Sequence, residues 1–86
     1  MLYTGKVKSL DPVFENLRIT KMYDVYKKLL TKRQQEIITA YYFENLSLNE
    51  IAENEGITKQ AVSDLIKRTI KLLEKYEGAL NLCFPA

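Results

Sequence analysis

Lys59, Gln60, Ser63, Asp64, Lys67, Arg68 and Lys71 stand close together in the chain and combine fixed cations with one amide, one hydroxyl and one carboxylate. Such a set suits recognition of duplex DNA rather than bond-breaking. A glutamine amide pairs with the adenine edge, a lysine reaches guanine or phosphate, and an aspartate accepts from the cytosine amine. If the stretch is helical, a turn of about 100° per residue puts Gln60, Ser63, Asp64, Lys67, Arg68 and Lys71 on one arc, opposite Val62, Leu65, Ile66, Thr69 and Leu73. Lys59, Gln60 and Ser63 then lie at the helix start, the end that enters the major groove in a helix–turn–helix. Lys67, Arg68 and Lys71 are left to anchor phosphates. Asp64 opposes this unless it meets a cytosine, and Glu50, Glu53 and Glu55 make the preceding segment acidic. Four or five phosphate contacts predict a log–log salt slope of about −3.5 to −4.5, doubled in a homodimer.

The same residues have plainer uses. Lys67, Arg68 and Lys71 could simply be a solvated face, paired with Asp64 and Glu74 at three- or four-residue spacing. Tyr23, Tyr26, Tyr41, Tyr42 and Tyr76 could stack single-stranded nucleic acid, but most fall on apolar stripes and are expected in the core or at its rim. Glu53 and Glu55, two apart on a helix, point different ways and form no acid–base pair. The chain has no histidine and a single cysteine, Cys83, expected to serve as an apolar residue. An enzyme, a metal site or a cofactor is therefore not expected.

The polar arc needs a scaffold, and residues 47–68, SLNEIAENEGITKQAVSDLIKR, have the spacing for one. A helix–turn–helix requires a small residue where its helices cross, a turn residue that accepts positive φ, and apolar residues that lock both helices to a third. Ala52, Gly56 and the set Leu48, Ile51, Ile57, Val62 and Leu65 meet these needs in order. Ser47 with Glu50 reads as a capping box, Gly56 as a helix stop and Thr58 as the next N-cap. From Lys59 the stripe Val62, Leu65, Ile66, Thr69, Leu73, Tyr76 runs about five turns, and Gly78 is expected to end or fray it. This last stripe is wide; either a partner helix or the first helix of the same chain must cover it.

Upstream, Asp11 and Pro12 read as an N-cap and a first-turn proline. Leu17, Met22, Val25, Tyr26, Leu29 and Leu30 are expected to share the buried face of the first helix. Thr31 opens a second capping box with Gln34, and the helix it starts is expected to run to about Glu44 and to bury Ile37, Ile38, Tyr41 and Tyr42. Residues 1–10 read as an N-terminal tail or expression remnant, 11–82 as the folded domain and 83–86 as a C-terminal tail.

At 86 residues, with 47% hydrophobic and 28% charged residues but only 3 Gly and 2 Pro, the chain suits one small all-α domain. Net charge is only +2, but it is unevenly spread: residues 1–30 carry six Lys/Arg against three acids, 31–55 two against five, and 56–86 five against three. No apolar run reaches the roughly 18 residues of a membrane span, and the first residues lack a secretory-signal pattern. A cytoplasmic location without membrane attachment is expected.

Residues 29–80, and most specifically LTKRQ, SLNEIAE, KQAVSDLIKRT and LLEKYE, resemble the YlxM-like proteins, small bacterial helix–turn–helix proteins related to region 4 of sigma factors. The resemblance implies a four-helix domain with a sigma-region-4-like helix–turn–helix at Leu48–Arg68 and Lys59, Gln60, Lys67 and Arg68 in its recognition helix. It also implies a DNA-binding regulator associated with the signal recognition particle pathway. Two alternatives follow: an adaptor that binds protein or RNA of that particle, and a promoter-binding module cut from a longer transcription factor.

Overall fold

Two capping boxes and one left-handed glycine cut the chain into helices at the places its sequence marks. The computed structural model describes residues 12–84, among which there are helices and turns but no strand. Helix α1 is Pro12–Tyr26, α2 is Lys32–Ile38, α3 is Leu48–Glu55 and α4 is Lys59–Leu80. Asp11, the residues read as an N-terminal tail and the final residues 85 and 86 lie outside the described part.

Both boxes close on both sides. Thr31 Oγ1 accepts from the Gln34 amide at 3.1 Å while Gln34 Oε1 accepts from the Thr31 amide at 2.9 Å. Ser47 and Glu50 repeat the exchange at 3.1 and 2.8 Å. Four amides that helix starts otherwise leave unpaired are thereby satisfied locally.

The buried face of α1 differs from the expected one. Ile19, Met22, Tyr23 and Tyr26 are buried, followed by Leu30, whereas Leu17, Val25 and Leu29 are 60%, 42% and 54% exposed. At 100° per residue Leu17 and Val25 lie about 160° and 120° around the helix from Ile19, which puts them outside the buried face. A 3₁₀ turn, Lys27–Leu29, then tightens the chain and leaves Leu30 inward. Gln35 holds that turn, donating through Nε2 to the Lys27 and Leu30 carbonyls at 2.7 and 3.2 Å.

Helix α2 also departs from regular geometry. It continues as a π turn, Thr39–Phe43, closed by the Glu44 amide on the Thr39 carbonyl at 3.0 Å. Ile37 and Ile38 are buried as expected, but the wider turn carries Tyr41 to the surface and leaves Tyr42 half-buried.

Helix α4 packs against α1, α2 and α3, burying Val62, Ile66, Thr69 and Leu73. Thr69 meets its polar requirement inside its own helix, donating to the Leu65 carbonyl at 2.8 Å. Helix α1 covers the far end of the stripe, with the Tyr26 and Tyr76 rings 6.0 Å apart and Arg18 paired with Glu74 at 2.7 Å. Gly78 neither ends nor frays α4, which runs to Leu80 and stops on Asn81 in the left-handed region at φ 55°. A mid-helix glycine costs only about 1 kcal/mol, and contacts on both sides of it hold the last turn.

Those contacts centre on Glu77. Its carboxylate accepts from the Tyr26 hydroxyl, from the Cys83 amide at 3.0 Å and from the Phe84 amide at 2.8 Å, while the Leu82 amide donates to Tyr26 Oη at 3.2 Å. The C-terminal residues 82–84 are thus tied to α1 and α4, and Cys83 is buried. Burial, and then the nearby Glu77 carboxylate, push the Cys83 thiol up from its ordinary value. For Glu77 burial acts upward, but the hydrogen bonds from Tyr26, Phe84 and Cys83, with the Lys21 charge, prevail and hold it below the usual carboxylate range.

A carboxylate lowered by folding stabilises the native state above its unfolded pKa, and that stabilisation is lost as pH falls through the folded value. Urea midpoints measured from neutral to acid pH should therefore fall more steeply for the wild type than for Glu77→Gln, and the two curves should converge at the acid end.

Candidate nucleic-acid interface

The turn between α3 and α4 is built from three consecutive residues. Gly56 sits at φ 69°, its amide on the Glu53 carbonyl at 3.4 Å, and the Ile57 amide returns to the Ala52 carbonyl at 3.1 Å. These two bonds form a Schellman-type stop. Thr58 then starts α4, its Oγ1 accepting from the Ala61 amide at 3.0 Å. Ala52 of α3 is buried in the core, and Leu48, Ile57 and Leu65 pack against it. The pair α3–α4 is a helix–turn–helix held from behind by α1 and α2.

The turn and the inward stripe together leave the opposite arc of α4 in solvent. Lys59, Gln60, Lys67, Arg68 and Lys71 are exposed, and Ser63 and Asp64 are half-buried. All seven residues therefore fall on one helix and outside the core. Gln60 donates through Nε2 to Asp64 Oδ1 at 3.2 Å, so the one carboxylate of the arc has a partner one turn back.

Three nearby acids have partners other than the arc's cations, and Glu53 is the exposed acid of α3 with none among the described residues. Glu74 takes Arg18, Glu55 takes Arg33 of α2 at 3.3 Å, and Glu50 is held by the Ser47 amide. Among the described residues, Lys59, Lys67, Arg68 and Lys71 form no ion pair within 4 Å. The pairing with Asp64 and Glu74 that a solvated face would favour is not made.

Two features escaped the sequence. Lys75 is exposed and extends the cationic row to about 12 Å beyond Lys67, eight residues at 1.5 Å each; its four-residue spacing from Lys71 was the available signal. Tyr41 and Tyr42 reach the flank of the arc, lining with Leu48, Ser63 and Lys67 a cleft of about 210 Å³. Both belong to the π turn, which no residue pattern announces.

Residues 13–84 match a family model described as "Putative helix-turn-helix protein, YlxM / p13 like", UPF0122. The chain is 48% identical over 68 residues to the UPF0122 protein of Pediococcus pentosaceus, covering 79% of this chain and 60% of that protein. It is 47% identical over 68 residues to the UPF0122 protein of Limosilactobacillus reuteri, with the same shares covered. The UPF0122 protein of Symbiobacterium thermophilum is 51% identical over 64 residues, covering 74% of this chain and 60% of that protein. The chain thus spans about 60% of the length of the curated relatives it matches.

Nothing lies within 4 Å of a Cβ built at Gly56, so backbone conformation rather than space requires glycine there. Gly56→Ala should lower unfolding free energy by about 1 to 2 kcal/mol, the cost of a left-handed L-residue. Thr58→Ala should cost about 1 kcal/mol through the lost cap. Urea unfolding of the two variants checks both, with unchanged m-values expected.

Proposed function

This chain belongs to the UPF0122 family of YlxM- and p13-like helix–turn–helix proteins, and from that membership and the outward arc of α4 we propose that it binds duplex DNA as a regulatory protein. The N-terminal part of α4 enters the major groove, with Lys59, Gln60 and Ser63 toward base edges. Lys67, Arg68 and Lys71, extended by Lys75, follow the phosphates. Asp64 stays on Gln60 or meets a cytosine amine. In this reading the protein acts in the cytoplasm and serves the signal recognition particle pathway, the role that its resemblance to YlxM-like proteins implies.

One observation carries this reading. The exposed cations of the arc form no ion pair among the described residues, while Asp64 is held by Gln60, Glu74 by Arg18 and Glu55 by Arg33. Exposed ion pairs stabilise a fold by at most about 1 kcal/mol each, so folding alone sets little preference for this division of charge. Unpaired cations in a row offer a polyanion counterion release at every contact.

Removing Lys67 and Arg68 together by Lys67→Ala and Arg68→Ala should weaken binding to duplex DNA and reduce the magnitude of the log–log salt slope by about 0.9 for each lost phosphate contact. Fluorescence anisotropy across a salt series measures both quantities; an unaltered affinity and slope would remove the basis for the DNA role. Asp64→Asn keeps an acceptor for Gln60 but removes the charge, and should tighten binding a few-fold at low salt, with the gain shrinking as salt rises.

A further inference from the structure

The π turn Thr39–Phe43 carries two adjacent aromatic rings, Tyr41 and Tyr42. Closing the turn uses the Glu44 amide on the Thr39 carbonyl and the Leu46 amide on the Ala40 carbonyl, both at 3.0 Å, with Asn45 in the left-handed region at φ 59°. The Tyr41 and Tyr42 rings meet nearly edge-on, 5.0 Å apart and inclined by 87°. With Leu48 and Ile66 they form the apolar wall of the cleft of about 210 Å³, and Ser63 and Lys67 lie on its lining from the polar arc. Tyr41 is 36% exposed.

We propose that this cleft receives one unpaired base of bound DNA, stacked on Tyr41, with the adjoining phosphate on Lys67. The inference rests on the DNA-binding reading of the same helix. Aromatic and apolar surface accepts the face of any base, and the Ser63 hydroxyl supplies a donor and acceptor for its polar edge. Lys67 belongs to both the cleft and the cationic row, so an occupant of the cleft lies beside the path expected for the sugar–phosphate chain. That continuity favours a nucleotide over a neutral ligand or a protein side chain. A base inside an intact duplex must first be unstacked and unpaired, at a cost comparable to what one stacking contact returns. Paired duplex therefore leaves the cleft empty, and DNA that already carries an unpaired base fills it.

The test compares three DNA probes of identical flanking sequence with the full chain at low salt: fully paired, carrying one unpaired thymine, and carrying an abasic site at that position. The thymine bulge should bind about five- to a hundredfold tighter than either other probe, the range that base–aromatic stacking supports. Tyr41→Leu should abolish that preference and Tyr41→Phe should retain it, with thermal melts confirming that both variants fold. Equal affinity for thymine-bulged and abasic probes in the wild type overturns the proposal without recourse to any variant, because a flexible kink then explains the preference. Persistence of the preference in Tyr41→Leu overturns it as well. If only the cleft assignment is wrong, paired duplex still binds and still responds to Lys67→Ala with Arg68→Ala. If the DNA reading itself is wrong, no probe binds in a salt-dependent manner, and both fall together.

Discussion

One helix carries two incompatible demands around its circumference, and the rest of the domain is arranged to keep them apart. Helix α4 is the element against which α1, α2 and α3 all pack. Each large aliphatic side chain on its inward stripe contributes about 1.5 to 3 kcal/mol by leaving water. The polar residues of the opposite arc contribute far less to folding. The inward stripe is therefore set by the fold, whereas the outward arc is open to whatever the molecule must meet. Because both belong to one long, rigid rod, the arc's backbone is positioned before any partner arrives.

Charge on this surface is organised by occupation rather than by count. The acidic middle of the chain reads from composition as an obstacle to binding a polyanion. In the fold Glu50 holds a cap, Glu55 meets Arg33 and Glu74 meets Arg18, which leaves Glu53 as the exposed acid of α3 whose side chain has no partner among the described residues. A carboxylate held by a cation or a backbone amide projects a weaker field than a bare one. Net charge is thus a poor guide to the potential along α4.

The parts of the fold legible in the sequence are those written locally. Thr31–Gln34, Ser47–Glu50, Gly56 and Thr58 fix their helix ends through atoms at most five residues apart, and each was readable from residue type and spacing. The outward residues of α4 were readable as well, because a straight helix preserves its period. The inward face of α1 is not readable, since Ile19 and Tyr23 compete with Leu17 and Val25 for burial and only packing on α4 and on the π turn, where Tyr23 meets Thr39 and Phe43, decides between them. Gly78 misled for a similar reason: the bonds that sustain the helix past it come from Tyr26 and from residues 83 and 84. The π turn changes the period of α2 beyond Ile38, so Tyr41 falls at the surface rather than in the core, and a 3.6-residue repeat carries no sign of the cleft beside Ser63.

The bond between Gln60 and Asp64 orients an amide without exhausting it. Nε2 carries two hydrogens and Asp64 Oδ1 takes one, so the second hydrogen and the carbonyl oxygen stay available on the solvent side of α4. The carboxylate meanwhile keeps a donor of its own chain and restrains the glutamine rotamer. A side chain fixed in this way loses less freedom when it is captured than a loose one would.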